Sequence, residues 1–117
     1  MEAQLLDPHA LEEARALFKH KFPTMAGYYF EDSEGYIANI RDAVAARDVT
    51  QIVTPAHTLK SSSRQMGAAL VSGLAKDIEA TARAQVEAGT SEMNYFATML
   101  SRLEQAFSDT RNAYPDA

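Results

Sequence analysis

Apolar residues recur along this chain at steps of three and four, the spacing that turns one face of an α-helix toward a core. No stretch shows the two-residue alternation of a strand. Asp7-Pro8 predicts a helix start, with an N-cap followed by proline at the first helical position. Glu12 and Glu13 then lie near the positive end of the helix dipole, and Leu11, Ala14 and Leu17 or Phe18 form the apolar stripe. Pro23 limits how far this first helix can run. Phe22, Ala26, Tyr29, Ser33, Tyr36, Ile40 and Val44 predict a second helix. Its periodicity continues through Glu31-Asp32-Ser33-Glu34-Gly35, so one helix is expected there, straight or bent.

Asp48 is placed to cap a third helix, with Gln51 set for the return bond of a capping box. The core stripe of that helix reads Ile52, Ala56, Leu59, Ser63, Met66, and Pro55 falls in or near its early turns. Gly67 is suited to a stop or joint. A fourth helix follows with Leu70, Leu74, Ile78 and Ala82 inward, ending at Gly89. Thr90 or Ser91 caps a fifth, with Met93, Phe96, Leu100, Leu103 and Phe107 inward. The expected fold class is all-α: an up-down-up-down four-helix bundle with an additional short N-terminal helix.

At 117 residues the chain is expected to form one domain, residues 1–117, with enough buried surface for one core. It contains no cysteine, which removes disulfides, thiolate metal ligands and thiol nucleophiles together, and which fits a cytoplasmic setting. No segment approaches the ~20 apolar residues of a membrane span. The opening Met1-Glu2-Ala3-Gln4 lacks the basic character of a signal peptide. A net charge of -5 argues against nucleic acid as a general partner. The Met1 start and the polar tail Tyr114-Pro115-Asp116-Ala117 fit either a stand-alone protein or a domain of a longer chain.

The third helix carries the unusual chemistry. His57 has Lys60 and Ser61 one turn away and Arg64 and Gln65 two turns away. This stripe lies about 100° round the axis from Ala56, so His57 is expected at the edge of the buried face. No acid occurs between Asp48 and Asp77, which leaves a positive stripe around the histidine. Such a stripe suits a group that carries a dianionic phosphoryl. Ser61-Ser62-Ser63 is a run of mediocre helix formers whose small size permits close approach. Taken singly, a helical histidine, a pair of basic residues or a serine run each describes an ordinary helix surface; the combination is what singles out this segment.

The run Ala56-His57-Thr58-Leu59-Lys60-Ser61-Ser62-Ser63-Arg64-Gln65-Met66-Gly67-Ala68 resembles the signature of histidine phosphotransfer domains. That pattern is His, any residue, Leu, Lys, a small residue (most often Gly), two more small residues, then a hydrophobic residue and Gly-Ala. Leu74 and Ile78-Glu79 continue it, and Phe30-Glu31-Asp32-Ser33, Tyr36, Ile40, Ala43-Val44 and Asp48 resemble the family's second helix. The resemblance spans about four-fifths of the chain. It implies that His57 is phosphorylated through Nε2, that Lys60 helps neutralise the phosphoryl, that Ser61 keeps space beside the ring, and that Gly67 ends or bends the helix. Ser61 departs from the usual Gly and adds one hydroxyl near the imidazole. Arg64 and Gln65 are expected to support the phosphoryl and, with Lys60, to form the polar side of a partner surface. The region from Phe18 to Tyr29 would supply its apolar centre.

The expected function is therefore that of a phosphorelay intermediate, accepting a phosphoryl group from one receiver-domain aspartate and passing it to another. The partners implied are response-regulator receivers and hybrid histidine kinases. No cofactor is expected. His9, His20 and His57 share no metal-ligand spacing, and no Gly-rich nucleotide loop is present. The chain is thus read as a carrier and not an enzyme, with the activating Mg²⁺ supplied by the receiver. A non-catalytic helical adaptor is the alternative. A kinase dimerisation domain is a third reading, distinguished by its being a dimer where a monomer is expected.

Overall fold

Residues 4–115 are described by the computed structural model; Met1-Ala3, part of the opening considered above for a signal peptide, and Asp116-Ala117, the end of the polar tail, lie outside them. The helices are α1 (Pro8–Phe18), α2 (Phe22–Ala45), α3 (Thr50–Gln65), α4 (Ala69–Ala88) and α5 (Asn94–Ala113), with a 3-10 turn at Lys19–Lys21. Neighbours in sequence pack as neighbours in space: α2 on α3, α3 on α4, α4 on α5, with α5 closing back on α2. Short connections enforce the antiparallel order of an up-down-up-down bundle, and α1 lies across α2 and α3 at one end. No strand occurs among the described residues, and none of their helices is long and apolar enough to cross a membrane.

Local chemistry explains most boundaries. The Asp7 carboxylate accepts hydrogen bonds from the backbone N–H groups of His9 (3.0 Å) and Ala10 (3.2 Å), satisfying orphan donors of α1. Pro23 stands in the first turn of α2, where its missing N–H costs least. α2 runs unbroken through Glu31–Gly35. At α3 the capping differs from the expected box: Asp48 accepts from the backbone N–H (3.2 Å) and hydroxyl (2.5 Å) of Thr50. α3 starts at Thr50, so Pro55 lies past its first turn, inside the helix, and the Gln51 carbonyl loses the bond that an N–H there would have made. α5 begins at Asn94, later than a Thr90 or Ser91 cap would place it, and the Glu92 carboxylate accepts from the Asn94 N–H.

The predicted core stripes of α3 and α5 are buried throughout. On α1, Phe18 packs against the core while Leu17 is 65% exposed. On α2, Ile37 and Ala43 are buried where Tyr36 and Val44 had been expected, and those two are half-buried. The cause is that α2 meets α3 on one flank and α5 on the other, which widens a single stripe into a band. On α4, Val71 and Ala75 face inward and Leu70 and Leu74 lie at the margin. α3 and α4 form the most extensive helix pair, and small residues such as Ala75 and Ala82 in the seam permit that approach.

The α3–α4 joint fixes α1. Gly67 has φ +76°, a left-handed conformation, and a Cβ there would stand 2.8 Å from Leu11 Cγ and 3.1 Å from Leu11 N. The Gly67 carbonyl accepts from Asp7 N–H at 2.8 Å, and Leu5 accepts from Leu70 N–H at 3.3 Å. From the other side, the Tyr114 hydroxyl donates to the Met66 carbonyl at 2.5 Å, with its ring against Phe22 and Phe30. The joint is thereby held between both ends of the described chain, next to the helix that carries His57.

Candidate functional site

α3 buries Ala56 and Leu59 completely, and His57, about 100° round the axis from Ala56, emerges at the bundle edge with 52% of its side chain exposed. Its ring is braced from α4. His57 Nδ1 lies 2.9 Å from Glu79 Oε2. Glu79 follows the core residue Ile78 and is itself buried, its side chain 7% exposed. A buried carboxylate is costly unless its oxygens are engaged, and here both are. Lys60 Nζ lies 2.7 Å from Oε1, and Arg83 Nε donates to Oε2 at 2.8 Å. Arg83 stands one turn along α4 from Glu79, so that pair is formed within one helix.

These contacts set the protonation states. Burial pushes the Glu79 carboxyl up, but the hydrogen bonds from Lys60, Arg83 and His57 and the charge of Lys60 outweigh it, bringing the group down to about 2. Glu79 is therefore an anion at neutral pH and can only accept. The hydrogen between it and the imidazole must sit on Nδ1, which leaves the lone pair of the neutral ring on Nε2, on the far side of the ring from Glu79.

Five of the predicted site residues share α3, but they separate into two groups. His57 and Lys60 meet on Glu79. Ser61, Arg64 and Gln65 are exposed and line a cleft of about 500 Å³ between α3 and α1, facing His9, Glu13 and Leu17. Gly67 belongs to the joint below. The positive stripe expected around His57 is partly cancelled by Glu79, because an acid absent from α3 arrives from α4. Ser63 lies in the seam as expected and is also hydrogen-bonded, 2.6 Å from the Tyr29 hydroxyl. Burial pushes that hydroxyl up to about 12, against the opposing effect of the serine contacts. Ser72 Oγ donates to the Lys60 carbonyl at 2.9 Å and ties α4 to α3 at the site. His9 is exposed and pairs with Glu13 at 3.0 Å, and His20 is exposed in the 3-10 turn.

Glu79 and Arg83 are the members that sequence reasoning missed. Glu79 had been noted only as part of the family pattern. The signal available was an acid one residue beyond the inward Ile78, followed by Arg four residues later, on the helix predicted to pack against the basic stripe.

Comparison with known proteins places the fold in a family. The profile of the Hpt domain matches residues 24–106, which contain all of α3 and α4. Among solved structures, the crystal structure of histidine-containing phosphotransfer protein B from Pseudomonas aeruginosa superposes with a TM-score of 0.83 at 25% identity, covering 94% of this chain and 90% of that one. Curated protein sequences give no match. With a family profile spanning most of the bundle and a solved histidine phosphotransfer protein of the same fold, the chain belongs to the histidine phosphotransfer (Hpt) domain family, whose members carry phosphoryl groups in phosphorelays.

Proposed function

We propose that His57 is the phosphoryl carrier, taking the group on Nε2 from a receiver-domain aspartyl phosphate and returning it to another receiver's aspartate. The observation that carries this reading is the Nδ1 contact with a buried Glu79 that is ionised at neutral pH. The Nε2 lone pair attacks phosphorus, the acyl-phosphate P–O bond breaks, and the aspartate leaves with that electron pair. The proton stays on Nδ1. Positive charge that develops on the ring as the N–P bond forms is met by the Glu79 carboxylate, so Glu79 acts as a positioning residue for His57. The return step reverses each of these changes.

Two cations and one anion leave the Lys60–Glu79–Arg83 cluster with a surplus of one positive charge, which offsets part of the ≈ 1.5 to 2 negative charges of a phosphoryl. Lys60 spends one of its three donors on Glu79 and directs the others to the phosphoryl. In-line transfer then needs from this side position and charge balance. The receiver supplies the acidic pocket and Mg²⁺. The 117 residues act as one cytoplasmic, monomeric module. The receiver docks over His57, with the cleft of Ser61, Arg64 and Gln65 on one side and an apolar patch of Leu17, Phe18, Met25 and Tyr28 as its centre; Tyr28 is 56% exposed and Leu17 more so.

The test is transfer of labelled phosphoryl from a panel of phosphorylated receivers to the wild type and to His57→Gln. Acid-labile, base-stable label on the wild type and none on the variant is expected. A folded wild type that takes label from no receiver would favour the adaptor reading.

A further inference from the structure

Resting on the assignment of His57 as the carrier, we infer that Arg83 is a second phosphoryl-binding residue, bridging Glu79 and the phosphoryl group through the two edges of its guanidinium. Imidazole and guanidinium converge on the same atom: His57 Nδ1 and Arg83 Nε are 2.9 Å and 2.8 Å from Glu79 Oε2. The two nitrogens therefore lie within about 6 Å of each other, around one buried carboxylate oxygen. Glu79 engages only Nε of the arginine, and 57% of the side chain is exposed. A guanidinium presents five N–H donors in a rigid fork, so the terminal nitrogens stay available while Nε is held. Nε2 points away from Glu79, so a phosphoryl there is met by rotation of the exposed fork about its Nε anchor, the terminal nitrogens reaching past the edge of the ring.

Lys60 is placed differently. Its ammonium is 2.7 Å from the other carboxylate oxygen and is only 29% exposed. It is the more buried of the two cations, and Arg83 is the one whose spare donors face solvent more fully. Binding through the terminal N–H groups requires no break in the Glu79 contact, so the imidazole keeps its orientation through the loading step.

The test loads the protein with a small phosphoramidate; its P–N bond breaks and ammonia leaves as the bond from Nε2 to phosphorus forms. Phosphorus NMR then follows the second ionisation of the phosphohistidine against pH in the wild type, Arg83→Gln and Arg83→Lys, with His57→Gln alongside. A bound cation favours the dianion, so Arg83→Gln is expected to weaken that ionisation by about threefold, the scale of an exposed charge pair. Arg83→Lys is expected to recover only part, because a point charge cannot pair with Glu79 and fork to the phosphoryl together. Ionisation unchanged in Arg83→Gln would overturn the inference. So would full recovery in Arg83→Lys, which would mean that Arg83 merely balances Glu79. A wild type that takes no phosphoryl, or a phosphohistidine signal surviving in His57→Gln, would instead remove the His57 assignment beneath it.

Discussion

Glu79→Gln keeps the shape of the side chain and removes the one negative charge that three donors share. The size of the effect follows from the carboxyl's acidity. Its displacement from 4.5 to about 2 corresponds to roughly 3 kcal/mol at 1.36 kcal/mol per tenfold change. His57 and Arg83 are more than half exposed, and screening at those partners reduces this to about 1–2 kcal/mol. For a domain of this size the variant should melt about 4–10 °C lower near pH 7. The pH dependence gives a sharper check. A carboxyl whose folded value is depressed stabilises the fold fully above its unfolded value and loses that contribution as pH falls through the folded value. The wild-type advantage over Glu79→Gln should thus hold from neutral pH down to about 4.5 and fade between 4.5 and about 2. Other carboxylates titrate in both proteins and cancel in the difference. Paired urea or thermal melts across this range supply the measurement. A difference that stays constant from neutral pH down to the lower end of this range, or a more stable glutamine variant, would refute the reasoning.

Gly67→Ala should cost at least about 2 kcal/mol, combining the left-handed backbone penalty with the collision at Leu11; faster amide exchange in α1 than in α5 would check that the loss is centred on the joint. Leu17→Ala and Tyr28→Ala should leave stability within ~0.5 kcal/mol, since both side chains are mostly exposed. Each should weaken receiver binding by about tenfold if these residues form the centre of the docking surface, and titration calorimetry with a competent receiver would measure it.

The helices and their order were legible because each stripe repeats within one segment: Ile52, Ala56, Leu59, Ser63 and Met66 need no knowledge of any other helix to be read as a seam. What stayed hidden depends on how helices are placed around one another. Ile37 enters the core beside Ile40 because α2 has two flanking partners, which periodicity along one helix does not reveal. His57, Lys60 and the joint at Gly67 were legible, since their spacing lies on α3 and in the turn after it. Glu79 lies twenty-two residues from His57, and its part emerges only when α4 folds back against α3. A charge count along α3 alone consequently overstated the positive field around the histidine.

The central claim is that Glu79 holds the Nδ1 proton and leaves Nε2 of His57 to take the phosphoryl. NMR of the phosphorylated protein, using couplings between phosphorus and the ring carbons and protons, tests this most directly. A phosphoryl on Nε2 of His57, with Nδ1 still protonated and hydrogen-bonded, is the predicted result. A phosphoryl on Nδ1, or on His9 or His20 with His57 unmodified, would contradict the account.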